Sequence, residues 1–479
     1  MKPHVFLFLV IFICPISIQC LAAEPDHFQA AVEQYRTSNL EGAISELNLV
    51  LQATPNDASA LSWMGFIHMK MGKVDEAISA LEKSVSIRQD MSEAYNNLGN
   101  AYMAKGRSGD AVIAYEKSVK LNDKASGTLY NLGNAYLAQR RYTDAIQRYE
   151  AAFGLTPNDP SILSNLGYSY FLKGNWQKAV SAYRKASELL PEDSQVYLNL
   201  GIALFRQGNR TESRKTLEKA VALDGSNYSA RISLGEAYMA EELTQEAIAQ
   251  FEAASALKPE ELAPLKSLTV LYVRADNYER AIEASNRVLK ESPGDLNVLN
   301  NLGWVYFIQD KLDEAQVQFE KAIQINKNFA VAHSNLAVLY QKQGKTELAA
   351  TEWREVQRIN PKSVGAAVSL GNILLTMGKN QDAAVEFDKA VKTEPKNVHA
   401  LNGLGLVAQR AGRLEEAVNR FSAAIAADPK FAVGYNNLGT VCEKQGKVDK
   451  AKSYYNKAIE LDPAYQDAKS NLARFEKSE

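Results

Sequence analysis

The sequence predicts an all-α chain, an α-solenoid of thirteen helix-turn-helix repeats closed by a carboxy-terminal capping helix. Three observations carry that reading. From Glu24 to Tyr465 the chain divides into consecutive 34-residue segments without insertion, alanine recurs at position 20 of twelve of them, and glycine holds position 8 of ten. A period of this length marks stacked repeats, each too small to bury its own apolar face.

Within each repeat, positions 4, 7 and 11 (Tyr95, Leu98 and Tyr102, for example) share one face at helical spacing. Positions 20, 24 and 27 (Ala145, Tyr149 and Ala152) form a second stripe. A turn near position 15 separates the two helices. It is glycine at Gly72, Gly106, Gly174, Gly208, Gly344, Gly378, Gly412 and Gly446, where a left-handed backbone ends the first helix at little cost. Proline at position 32 of nine repeats, from Pro55 to Pro463, stops the second helix because it lacks an amide donor. Small residues at positions 8 and 20 let the two helices approach closely, and the large residues at 4, 11 and 24 fill the space around them. Ser213 is the single departure from alanine at position 20. The last segment, 466–479, repeats only a first helix and then turns charged, as a solvating cap would.

The amino terminus has a different character. Lys2 precedes an apolar run from Val5 to Ile13, Pro15 follows, and Cys20-Leu21-Ala22 offers a cleavage site. Residues 1–22 are therefore expected to be a signal peptide. The run is too short for a membrane span, which takes about 20 apolar residues. Membrane association would then require an uncleaved leader or acylation of Cys20. A periplasmic or secreted location follows, with lipid anchoring as the lesser variant. Loss of Cys14 and Cys20 would leave only Cys442, so stability is expected to come from packing, without an intramolecular disulfide.

The formal charge is −2, with both signs interspersed along the chain, which argues against nucleic acid as a partner. No catalytic residues, cofactor or metal site are expected. His4, His27, His68, His333 and His399 are scattered without metal-ligand spacing. Recurrent acids such as Asp75-Glu76 and Asp313-Glu314 suit a helix amino terminus. Cys442 falls at core position 11, as a buried inert thiol would.

The run Ala94-Tyr95-Asn96-Asn97-Leu98-Gly99-Asn100-Ala101-Tyr102 resembles the tetratricopeptide repeat (TPR) family, and the register extends over about nine-tenths of the chain. That resemblance implies a right-handed superhelix whose first helices line a groove, and a non-catalytic scaffold that binds proteins or peptides. The helical wheel turns positions 2, 5, 9 and 13 away from the core, with 6 and 12 on the flanks. Position 6 is asparagine at Asn97, Asn131, Asn165, Asn199, Asn301, Asn335, Asn437 and Asn471. A row of carboxamides can grip an extended peptide backbone whatever its sequence. It is similar to the groove asparagines of O-linked N-acetylglucosamine transferases, although a structural role inside the repeats competes with this reading. Apolar residues at positions 9, 12 and 13, namely Phe171, Leu172, Phe205, Met239, Trp304, Phe307 and Ile308, add a second candidate surface.

The expected partner is thus a protein or an extended peptide. An alternative is a regulatory or assembly subunit of a separate transferase, pilus or polysaccharide-export machine, which co-purification from native membranes would reveal. Self-association through the apolar groove is a third reading, settled by the size of the purified chain. Departures from the pattern cluster at Arg231, Glu242, Thr269 and Ser285, so residues 200–295 are expected to form a softer joint; uniform hydrogen-exchange protection would contradict it.

Overall fold

The computed structural model describes residues 25–476. The leader reading, with Lys2, His4, Cys14 and Cys20, lies outside the described residues, as do the final three positions. Among the described residues there are twenty-seven helices and no strands. They are thirteen pairs followed by Gln466–Glu476, the expected cap. The fourth pair, Ser126–Ala138 and Tyr142–Leu155, shows the common plan: positions 1–13 form the first helix and 17–30 the second. Position 32 lies just past the second helix, which is why proline is tolerated there. Pro160 is the first helical residue of its helix and Pro264 the third of its own, both where the missing amide has no helical acceptor.

The chain forms two compact bodies, one through Lys258 and one from Pro259. The first holds seven repeats, the second six and the cap. In both, the core repeats the same close approach. All twelve alanines at position 20 are fully buried, and Ser213 fits among them because its hydroxyl donates to the Gly201 carbonyl at 2.7 Å. Opposite lies a column of buried large residues at position 24, including Tyr115, Tyr149, Tyr183, Phe251, Phe319, Phe387, Phe421 and Tyr455. Each rests on the bare backbone of the glycine at position 8 of its own repeat. A Cβ built on Gly133 would sit 2.6 Å from the Tyr149 ring, and one on Gly405 would sit 2.4 Å from Phe421. In these eight repeats glycine at position 8 therefore gives the ring at 24 its room, whereas the tenth repeat combines Ala337 at position 8 with a buried Trp353 at 24.

The turn at position 15 is stricter than the glycine pattern indicated. All thirteen repeats adopt a positive φ there, including Ser38 (64°), Arg140 (59°), Glu242 (61°), Asp276 (54°) and Asp310 (60°). A side chain in this region costs about 1 kcal/mol or more, and two-helix closure imposes it regardless. Arg140→Gly is accordingly expected to raise stability by about 0.5–1 kcal/mol, the relief of strain exceeding the added unfolded-state entropy. Urea unfolding of the two proteins checks this, and an unchanged midpoint would refute it.

Adjacent repeats are tied by a second ladder. The tyrosine at position 11 donates to the glutamate at position 25 of the preceding repeat: Tyr102 to Glu82 at 2.6 Å, Tyr238 to Glu218 at 2.9 Å, and likewise Tyr136 to Glu116 and Tyr170 to Glu150. Arg107 and Arg141 lie over the Tyr102 and Tyr136 rings at 4.5 and 4.4 Å. Burial, and then the bond to the carboxylate, push the phenols of Tyr102 and Tyr238 up to about 12. The folded state thus holds protons that the unfolded chain releases near pH 10. The associated stability is complete below about pH 10 and is lost as pH rises through about 12. Unfolding midpoints measured between pH 8 and 12 should be flat and then fall, and a midpoint still level at pH 12 would contradict the ladder.

Candidate functional site

The first-helix face carries most of the candidate binding residues, and the structure divides them. The wheel treated each first helix as meeting one partner, its own second helix. In both bodies it also packs against the first helices of neighbouring repeats, so position 5 is not uniformly turned to solvent as expected: Lys266 is exposed there, but other residues are covered. Tyr130, Leu198, Asn300 and Asn436 at that position are buried. Positions 2 and 13 remain largely open, and position 9 varies, with Asn100 buried and Trp304 exposed.

This neighbour contact separates the eight asparagines of position 6 into two groups. In five, the amide NH2 donates to a side chain at position 5 or 9 of the preceding repeat. Asn131 donates to Asn96 and Asn100, both at 3.2 Å, and Asn165 to the Tyr130 hydroxyl at 3.0 Å and Asn134 at 2.9 Å. Asn335 donates to Asn300 at 2.8 Å, Asn437 to Asn402 at 2.8 Å, and Asn471 to Asn436 at 2.9 Å. Two of the acceptors are themselves anchored, since the Tyr115 and Tyr149 hydroxyls donate to Asn100 and Asn134 at 2.7 and 2.6 Å. The carboxamides of these five bond across a repeat boundary, and Asn131 and Asn437 are buried.

The other three make no such bond. The preceding repeat offers Ser62 and Phe66 to Asn97, Ser164 and Tyr168 to Asn199, and Lys266 and Val270 to Asn301. All three are half-buried, and among the described residues none donates its amide to a protein group; Asn199 only accepts, from Gln195 Nε2 at 3.0 Å. The physical rule is simple. The position-6 amide is held wherever an asparagine stands 31 or 35 residues earlier; the hydroxyls of Ser62, Ser164 and Tyr168 receive no bond from Asn97 or Asn199, and Lys266 and Val270 offer Asn301 no acceptor. That spacing was visible in the sequence, and only the neighbour contact gives it meaning.

The apolar candidates divide similarly. Phe171 stacks edge-on against Trp176 with ring centroids 5.1 Å apart and packs on the core beneath, and Phe205 also packs inward. Trp304 and Ile308 stay 38% and 41% exposed. Trp304 lies parallel to Phe307 at 5.1 Å, with the Lys342 ammonium 4.9 Å above the Phe307 ring. Leu172 and Met239 are half-buried. Asn301 thus stands one helical turn before an exposed aromatic ledge, and Asn199 borders a cleft of about 880 Å3 that Tyr130, Asn165 and Tyr168 also line.

Other reactive groups have structural tasks. His333 is buried, with Nδ1 2.6 Å from Glu352 Oε2 and Nε2 3.2 Å from the Lys327 carbonyl. Burial pushes the Cys442 thiol up, away from the reactive thiolate. Asp75, Glu76, Asp313 and Glu314 lie in the first turns of their second helices, facing the positive end of the dipole. Among the described residues no three His, Cys, Asp or Glu side chains converge to hold a metal ion, and no helix is long and apolar enough to cross a membrane.

Fold and face together define a helical-repeat scaffold. Models described as tetratricopeptide repeat match residues 56–124, 130–194, 198–261, 334–397, 368–430 and 432–465, and one described as TPR repeat matches 303–344. The chain belongs to the tetratricopeptide repeat family. No curated protein sequence matches it. Among solved structures, that of MamA is 28% identical over 34% of this chain and 94% of its own, with a TM-score of 0.33. The C-terminal part of a TPR repeat-containing protein from Cytophaga hutchinsonii is 21% identical over 50% of this chain and 99% of its own, with a TM-score of 0.44. YrrB, titled a TPR protein with an unusual peptide-binding site, is 22% identical over 39% and 97%, with a TM-score of 0.34. At these TM-scores the likenesses carry no functional argument.

Proposed function

We propose that the chain is a non-catalytic scaffold that holds an extended segment of a partner protein against its first-helix face, in an exported compartment. The observation that supports it most is the division of the asparagines. Carboxamides at Asn97, Asn199 and Asn301 keep their donors unspent in half-buried settings, where an amide gains most from a backbone carbonyl brought by a ligand. Several such contacts spread over the repeats of a body would sum to useful affinity from individually weak bonds, and in the second body the Trp304 ledge adds apolar area. The exported setting is supported by the amino-terminal sequence alone. Mass measurement of the protein from its native host should find a chain starting at Ala23, and an intact leader on soluble protein would overturn that part.

The scaffold reading separates two kinds of asparagine by experiment. Asn301→Ala should leave the unfolding midpoint unchanged and weaken partner binding. Asn131→Ala should lower stability by about 1–2 kcal/mol, because it strips a donor from the half-buried Asn96 and the buried Asn100. A photoreactive residue at 97 or 199 should crosslink a common partner segment, and one at 301 should crosslink a partner as well, while one at the exposed second-helix position Ile113 should not. Equal labelling from position 113, or an Asn301→Ala protein that binds as well as the parent, would sink the proposal.

A further inference from the structure

The cleft bordering Asn199 has a chemistry of its own. It opens between the first helices of the fifth and sixth repeats and the loops that follow their second helices, and its volume of about 880 Å3 falls in the range of ligand clefts, roughly 300–1,000 Å3. Its charged lining is of one sign. Glu192, Asp193 and Asp224 face it, and no lysine, arginine or histidine does. Arg231 lies outside the lining; its charge helps hold the Asp224 carboxyl down, and its donors go to the Gly225 carbonyl at 2.7 Å and to Gln250 at 3.1 Å. Lys219 is likewise drawn onto the Tyr197 hydroxyl at 2.6 Å.

An anion finds no welcome here. The three helix amino termini that reach the cleft are already capped, Asp159 accepting from the Ser161 and Ile162 amides, Asp193 from those of Gln195 and Val196, and Asn227 from that of Ala230. Two of these positive ends are therefore answered by carboxylates of the chain itself, and the third by the Asn227 carboxamide. Asp224 accepts from the Ser226 hydroxyl and amide, which holds its carboxyl below the usual range and keeps it charged. A purely apolar occupant fits no better, since the half-buried Tyr168 hydroxyl has no partner among the described residues and the Asn199 amide is unspent. Acidic groups gathered on one cleft add their fields in its opening, and the half-buried Tyr168 ring that lines it has a face of the kind that attracts a cation.

We propose that this cleft seats a lysine or arginine side chain of the bound partner segment, with Glu192 and Asp224 as its counter-charges and Tyr168 and Asn199 as hydrogen-bonding partners. The inference rests on the scaffold reading above and names the partner's chemistry at one point along it. Asp193 stays with its helix cap and is not required to turn.

The test is selection of phage-displayed random dodecapeptides on the full chain and on a Glu192→Gln/Asp224→Asn variant. Peptides whose binding needs Asn199 should carry lysine or arginine at one fixed position when selected on the parent, and should lose that preference on the variant. In a synthetic copy, norleucine or citrulline in place of that residue should weaken binding to the parent about tenfold and to the variant less than twofold. Because Asp224 also braces its own loop, Glu192→Gln alone is run beside it and should give a smaller loss in the same direction. Selected peptides without a fixed cation, or with one whose replacement costs the same on parent and variant, would overturn this assignment and leave the scaffold reading in place. Failure to select any peptide that depends on Asn97, Asn199 or Asn301 would overturn both.

Discussion

Phe387→Ala is expected to destabilise the carboxy-terminal body by about 3–5 kcal/mol, the largest effect of any single truncation in that body. The ring is fully buried and lies between two glycines. A Cβ on Gly371 would come 2.7 Å from it, and one on Gly403 would come 2.4 Å. Neither neighbour has a side chain that could move into the vacated space, so the cavity would stay open and its lining would lose dispersion contacts outright. Phe387→Leu, which keeps most of the volume, should cost no more than about 1.5 kcal/mol. Urea unfolding with hydrogen exchange resolved to repeats eleven and twelve would measure both. An alanine variant within 1 kcal/mol of the parent would show that the helices can close over the gap.

Gly133→Ala is expected to cost about 2–3 kcal/mol, although alanine is the better helix former by about 1 kcal/mol. The new methyl would lie 2.6 Å from Tyr149 Cε1, and that ring has no room to yield. It is fully buried, and its hydroxyl donates at 2.6 Å to Asn134, which in turn accepts from Asn165 at 2.9 Å. Displacing the ring would therefore disturb the link between the fourth and fifth repeats as well as the core of one. Gly154→Ala is the internal control. Gly154 lies in the second helix of the same repeat, exposed, with nothing within 4 Å of an added Cβ. There alanine should stabilise by up to about 1 kcal/mol. Opposite signs for two glycine-to-alanine changes in one repeat would separate packing from propensity, and equal signs would refute the close-approach account.

The repeat register, both helices of every pair and the cap could be read from spacing, because a period of 34 residues fixes where apolar stripes, turn glycines and stop prolines must fall. Gly133 and Tyr149 were legible as a small-and-large pair for the same reason. Legibility ended where a residue's role depends on the next repeat. On a wheel, Tyr130 and Asn100 face away from the core, yet both are buried. A wheel represents one helix and one partner, and a stacked first helix has several. Arg140 and Glu242 carried no turn signal, and closure of the helix pair still places them at positive φ.

What the sequence determined alone is the one-dimensional order: how many repeats, which residues pack within each, and which carboxamides recur at position 6. Tertiary structure decided what those carboxamides do. Asn131 and Asn301 occupy the same place in their repeats, and they differ only in what the preceding repeat presents across the boundary, Asn96 and Asn100 in one case and Lys266 and Val270 in the other. A hydrogen bond needs a partner within about 3 Å, and that distance is set by how one repeat is seated on its neighbour, not by the residue's position within its own.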